Sequence, residues 1–175
     1  MASNDPTTKR RRVYTQIGDI FAVPLVAEQS KRYIQLVALD MSQLNSDVIR
    51  AFKKGYALDA QPAICDIVND EVDFFVHTTV SAGVKQNLWK KTGKSLVIGN
   101  VSLILFKDTL DYGRRDGELP VTDSQKWVVW QINGNRKFVG ILDDKNRNAF
   151  MGLVVPPNDV VRMLLGKKIP IHYPS

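Results

Sequence analysis

The chain has 175 residues, 44% of them hydrophobic and 24% charged, a composition that permits a folded domain and excludes a chain too polar to bury a core. Its net charge of +6 divides evenly between residues 1–12, where Lys9, Arg10, Arg11 and Arg12 stand against Asp5, and the rest of the chain. A single cysteine, Cys65, excludes an internal disulfide, and no window approaches the ~18 consecutive apolar residues of a membrane helix.

These features describe one globular domain over residues 13–175, preceded by a basic, flexible tail over residues 1–12. The opening residues run polar and then basic with no apolar stretch behind them, unlike a secretory signal, so the expected location is the cytoplasm.

Gly18-Asp19 reads as a turn, and Phe21, Val23 and Leu25 after it alternate onto one face of a strand. Pro24 donates no ladder hydrogen bond, which places that strand at an edge or a bulge. Residues 32–40 (RYIQLVALD) form a second strand, apolar on both faces and therefore central. Residues 45–55 carry helix punctuation: Asn45 or Ser46 to cap, Asp47 in the first turn, Lys53 and Lys54 in the last, and Gly55 to stop. The stripe Val48, Ile49 and Phe52 would dock this helix on the sheet. A helical turn over 62–68 follows, with Pro62 at its first position and Cys65 on its apolar stripe.

Residues 72–80 alternate as a strand, and 81–91 read as a helix closed by Gly93. Residues 101–107 are a strand, and 108–124 lack periodicity, a loop long enough to suggest a contact surface. In 126–142 (KWVVWQINGNRKFVGIL) two β-branched runs flank Asn133-Gly134, a strong hairpin signal. A two-residue turn would set Val129 against Phe138 and Trp127 against Gly140, with both faces apolar. Residues 149–155 supply a last strand, and Pro156-Pro157 opens a helix over 159–165. Strands interleaved with three to four short helices, in no regular βαβ alternation, define an α+β domain with a curved, mainly antiparallel sheet or a partly open barrel.

The chain shows little that could do chemistry. Its two histidines, His77 and His172, lack metal-ligand spacing to any partner, and no glycine-rich phosphate loop occurs, so no metal or cofactor is expected. Asp144-Lys145-Asn146-Arg147-Asn148 opens like a calcium loop, but Ala149 replaces the required glycine and Val155 the closing glutamate. His77, on a strand beside aromatics, reads as a structural histidine, and His172 as a solvent-exposed one. A Cys65–His77 nucleophile pair is the remote enzymatic reading. The carboxylates Asp66, Asp70, Glu71 and Asp73 read as a solvated acidic loop.

The run Lys9, Arg10, Arg11, Arg12 fits a solubilising tail, an import signal or a nucleic-acid arm. Lys126, Trp127, Trp130, Arg136, Lys137 and Phe138 come closest to the interleaving of basic and aromatic residues that stacking on single strands requires. Apolar neighbours on both faces instead favour both tryptophans in the core.

The stretches QIGDIFAVPLVAEQSKRYIQLVALDMSQLNSDVIRAFKK, VNDEVDFFVHTTVSAGVKQNLWKKTG and WVVWQINGNRKFVG resemble the Immunity protein 26 family of bacterial polymorphic-toxin systems, a likeness extending over about residues 16–170. The resemblance implies a small, mainly β, cytoplasmic protein that neutralises a toxin by binding it, without catalysis. Contact residues expected on the surface are Tyr112, Arg114 and Arg115 of the long loop, and Trp127. The second expectation is a nucleic-acid-binding module that uses Lys9 to Arg12 with Arg136 and Lys137 of the hairpin.

Overall fold

The computed structural model describes residues 13–111, 119, 121–171 and 174. Among these, ten strands form two sheets and three short α-helices pack against them, an α+β architecture in which the sheets do not close into a barrel.

The first sheet is built around its longest strand. β1 (Asp19–Leu25) turns through a single 3-10 turn at Val26–Glu28 into β2 (Ser30–Asp40), and Gln29 closes that turn at φ 50°. β3 (Ser46–Phe52) lies on the other side of β2, β5 (Val72–Thr78) lies beyond β3, and β6 (Lys90–Lys94) adds outside β1. The short β4 (Tyr56–Ala57) pairs with the start of β2. Every ladder in this sheet is antiparallel. The second sheet has the order β10-β7-β8-β9, from β7 (Leu105–Thr109), β8 (Trp127–Gln131), β9 (Lys137–Gly140) and β10 (Phe150–Met151), with only β10 parallel to its neighbour. A single parallel bridge, His77 to Val154, ties the chain after β10 to β5.

Burial explains this arrangement. On one face of the first sheet Phe21, Val23, Ile34, Leu36, Ile49 and Val76 pack with Trp89 and with Val80 of α2 (Val80–Lys85) and Val160 and Leu164 of α3 (Pro157–Leu164). The opposite face has two covers. Ile20, Tyr33 and Phe52 meet Ile67 and Val68 of α1 (Ile64–Val68), while Val37, Ala38 and Val48 meet Phe106, Val128 and Trp130 of the second sheet. β2 is therefore buried on both faces, as its sequence requires. Pro24 lies past the end of β6, where β1 has a neighbour on one side only, so its missing N–H leaves the sheet intact.

Four expectations need correction. Residues 45–55 contain β3 and no helix: Asn45 sits at φ 45° in a turn, and every residue from Val48 to Phe52 is buried, whereas a docked helix buries only one stripe. Pairing along both β2 and β5 outweighs the local caps. Asp47 still caps a helix, but a different one, accepting the N–H of Val80 at 2.8 Å where α2 begins. The helix expected over 81–91 ends at Lys85, and Gly93 belongs to β6, where a Cβ would come within 2.3 Å of Ile64 Cδ1.

Val101–Leu103 form a 3-10 turn ahead of β7, so the strand expected from residue 101 starts at Leu105. The hairpin forms, but its ladder shifts register between Trp127 and Val128. Trp127 faces Gly140 as expected, Val128 faces Phe138, and Val129 faces Lys137. Its connection spans five residues, in which Gly134 N–H bonds Gln131 O at 2.7 Å and Asn133 takes φ 58°.

Gly83 shows how tightly the helical face is packed. A Cβ there would lie 1.9 Å from Cζ2 of the buried Trp89, whose indole N–H is itself fixed on Val80 O at 3.0 Å. Helix propensity favours Gly→Ala by ~1 kcal/mol, but overpacking a rigid ring costs about 1–3 kcal/mol and dominates at so short a distance. Gly83→Ala is therefore expected to destabilise the fold by up to about 2 kcal/mol net, read as a lower urea midpoint; a midpoint equal to or above the parent's would show that Trp89 can move.

Candidate functional site

The densest polar constellation in the described residues centres on Asp40, the last residue of β2. Its Oδ2 accepts from Nε2 of His77 on β5 at 3.0 Å and from Nε1 of Trp130 on β8 at 3.2 Å. Its Oδ1 accepts from the backbone of Ser42, Gln43 and Asn133 and from the Ser42 hydroxyl, at 3.1–3.3 Å. Asn133 completes the interlock, accepting from Met41 N–H at 2.8 Å and donating to Leu39 O at 2.9 Å. Gly134 O receives Gln43 Nε2 at 2.8 Å and lies 3.2 Å from the Ser42 hydroxyl, whose one proton goes to it or to Asp40. One carboxylate thus joins the β2–β3 turn, the β8–β9 turn and β5.

Asp40 and His77 are both 0% exposed. Burial alone would raise the Asp40 carboxyl, but the hydrogen bonds from His77, Gln43, Trp130 and Ser42 outweigh it and hold the group below its ordinary value. For His77 burial prevails over the pull of Asp40 and keeps the imidazole below its ordinary value. A neutral ring facing a carboxylate must carry its proton on Nε2, which leaves Nδ1 as an acceptor, and that atom is buried without a partner. The Phe106 ring lies 4.1 Å from the imidazole, centroid to centroid. The imidazole is thus fully buried and held on one nitrogen by Asp40.

A second polar pair occupies the same sheet face between the two apolar covers. Arg50 Nε donates to Gln35 Oε1 at 2.8 Å across the β2–β3 ladder, and its guanidinium also reaches Val97 O at 2.6 Å. Gln35 Nε2 donates to Ser95 O at 2.8 Å and Gly18 O at 3.3 Å. Both side chains thereby saturate carbonyls of the segment crossing this face.

Of the described residues singled out in sequence, His77 and Trp130 meet at Asp40, whereas the hairpin tryptophans do not share an exposed surface with Lys137. Trp127 and Trp130 are both 1% exposed, and Trp127 packs with Val129 and Leu142 in a cluster of its own on the far side of the second sheet, so the ring expected as a contact residue is buried. Arg136 lies 4.8 Å over the Trp130 ring and 3.7 Å from Asp108, while Lys137 is exposed. Tyr112, Arg114, Arg115, His172 and Lys9 to Arg12 lie outside the described residues. The base of the long loop is described, and it is tightly fastened. Thr109 and Ser124 share a hydroxyl–hydroxyl bond of 2.5 Å, Ser124 also bonds Asp111, and Lys126 pairs with Asp111 at 2.9 Å.

Cys65 is exposed on α1, contrary to its expected place on an apolar stripe, and its thiol contacts Asp66 at 3.7 Å. The Cys65–His77 pair does not form, because His77 Nε2 is held by Asp40 and Nδ1 has no partner. The acidic stretch is committed locally: Asp70 accepts from Lys54 and Glu71 backbone, Glu71 pairs with Lys53, and Asp73 pairs with Arg32. Among the described residues no cluster of three or more histidine, cysteine or carboxylate side chains could hold a metal. A polar cleft of about 380 Å³ lies between residues 13–15, 45–47 and 78–81, where Asp47 is already engaged by Val80.

Sequence reasoning passed over Asp40, Gln35 and Arg50. The available signal was a polar residue inside or ending an otherwise apolar run, since a polar group in a two-sided strand must find a buried partner. No protein-family model matches this chain, and neither curated proteins nor solved structures include a significant match to it. What the structure defines is a fold, an α+β two-sheet scaffold with a buried carboxylate joining its turns.

The locked cluster has a pH signature. In the unfolded chain His77 protonates near its ordinary 6.5, whereas the fold resists that proton, so below that pH the unfolded state binds more protons and stability falls as acid is added. Asp40 adds a second loss as pH falls through 3.8 toward its depressed native value. Urea midpoints should therefore drop between pH 7.5 and 5.5, and His77→Gln, which keeps an N–H for Asp40 but cannot titrate there, should flatten that drop. An unchanged slope in the variant would assign the acid sensitivity elsewhere. Asp40→Asn places a donor against a ring of donors and is expected to cost about 2–4 kcal/mol in urea unfolding at pH 7.

Proposed function

We propose that this protein acts through its surface, as a cytoplasmic immunity protein that neutralises a bacterial toxin by forming a stoichiometric complex with it. The observation that carries this reading is a division of labour. Asp40 and His77, which could do chemistry, are sealed inside and held by the fold, while Met41, Phe138 and Ile141 stand 61–68% exposed on turns and edges.

The resemblance to the Immunity protein 26 family supports it in a specific way. Its first segment holds β1 to β3 with Asp40, its second holds β5, α2 and β6 with His77, and its third is the β8–β9 hairpin with Trp130. Asp40, His77 and Trp130 thus come one from each of the three stretches that carry the resemblance. A rigid scaffold limits the ordering cost of association.

Nucleic-acid binding through the hairpin is the less favoured reading, because both tryptophans that would stack on bases are buried. Lys137 remains exposed there, and Lys9 to Arg12 could contribute only charge.

The test is to identify the neighbouring genes and, where one encodes a secreted protein with a C-terminal toxin domain, to reconstitute that domain with this chain. A complex of fixed stoichiometry by size exclusion with light scattering, loss of toxin activity on titration, and indifference to removal of residues 1–12 are expected. Absence of a complex at micromolar concentration, together with nucleic-acid affinity that falls steeply with salt, would overturn the proposal in favour of the phosphate-tracking alternative.

A further inference from the structure

A sheet edge presents unpaired N–H and C=O groups, and folded proteins usually blunt such edges. The edges here are treated unequally. β6, at one end of the first sheet, carries the exposed Lys90, Lys91 and Lys94, a row of charge that discourages pairing. β5, at the other end, is occupied in its C-terminal half, where Val155 N–H bonds His77 O at 2.8 Å and Thr78 Oγ1 bonds Val155 O at 2.7 Å.

β9, which ends the second sheet, is a short strand with a register shift against β8 and a single lysine, Lys137, at its start, and no described segment covers its apolar part. It pairs with β8 on one side and with no described residue on the other. Phe138 is 61% exposed on this strand, and Ile141, the residue after it, is 68% exposed. A cationic end adjoins the apolar part: Lys137 begins the strand and has no ion-pair partner among the described residues, and Arg136 just before it lies over the Trp130 ring and 3.7 Å from Asp108.

We propose that the outward edge of β9 is a docking strand, onto which an extended segment of a partner protein adds as a fifth strand, its apolar residues against Phe138 and Ile141 and a carboxylate beside Lys137. This rests on the binding reading above and names the mode and chemistry of contact. Main-chain hydrogen bonds supply affinity in such an addition, and side chains facing Phe138 and Lys137 supply selection. Charge decides the occupant. A second copy of this chain would bring +6 against +6, whereas an acidic segment meets Lys137 with complementary sign. The lock at Asn133 and Gly134 fixes the turn that leads into β9, so the edge is presented in one orientation.

The experiment is a titration of the isotope-labelled full chain, followed by amide NMR, with three capped eight-residue peptides of alternating valine and threonine. One ends in two glutamates, one ends in two lysines, and one is the acidic peptide with a central proline. Saturable shifts confined to the hairpin are expected for the acidic peptide, with the proline and lysine versions weaker. Lys137→Glu should weaken the acidic peptide about threefold to tenfold, and Phe138→Asn should do so independently of charge. Both positions are exposed, and unchanged urea midpoints would confirm that the variants fold.

Shifts that map away from residues 127–141, or equal binding of all three peptides, would overturn the proposal. So would concentration-dependent dimers abolished by Phe138→Asn, which would assign the edge to a second copy. Toxin binding unaffected by Lys137→Glu and Phe138→Asn would sink this inference alone. Acidic-peptide binding without any toxin complex would sink the immunity reading alone.

Discussion

The interaction on which this structure depends is the Asp40 carboxylate, a buried charge with donors drawn from three separated parts of the chain. A carboxylate sealed from water is costly unless its lone pairs are filled, and here backbone, hydroxyl, imidazole and indole groups fill them. The penalty for leaving any donor out makes the arrangement selective. β5, the β2–β3 turn and the β8–β9 hairpin have one relative placement in which Asp40 is satisfied, which apolar packing by itself would specify less sharply. Buried charge thus contributes uniqueness here more than net stability.

The same constraint explains the legibility of the fold. β1, β2, β5 and the hairpin were readable because their apolar residues alternate or run continuously between turn residues. β3 was not, because its sequence satisfies two patterns. Val48, Ile49 and Phe52 suit a helical stripe as well as a strand, and Asn45, Asp47 and Gly55 look like caps. The choice between them is made by β2, whose two-sided burial demands a partner strand on its far side. No local rule contains that demand. The truncation of α2 has a similar cause: the chain breaks at Asn87, φ 57°, so that Trp89 can reach the core and the following lysines can pair with β1.

The site was less readable than the fold. His77 and Trp130 were visible as residues of interest, but their partner Asp40 looked like an ordinary strand terminus, and Asn133-Gly134 looked like a simple two-residue turn. Their roles come from contacts across 37, 90 and 93 positions of sequence. Gln35 and Arg50 fall in the same category, since each is satisfied chiefly by carbonyls of the segment before β7. What sequence does reveal in such cases is the problem to be solved: a polar side chain at a position that pairing will bury.

A scaffold locked in this way has consequences for how its surface can be used. With Ser42, Gln43, Asn133 and Gly134 all engaged in the interlock, the turns at this end of the molecule are fixed, and the exposed Leu39 and Met41 are carried on rigid backbone. The hairpin leaves the same lock and runs outward to its open edge at β9. Association at such a surface orders few groups that are not already ordered, so its selectivity follows from shape and sign of charge, with little contribution from adaptation. The buried carboxylate and the exposed edge are in this sense coupled: the interior interaction fixes the turn that leads into β9, and with it the orientation of the exposed Lys137 and Phe138.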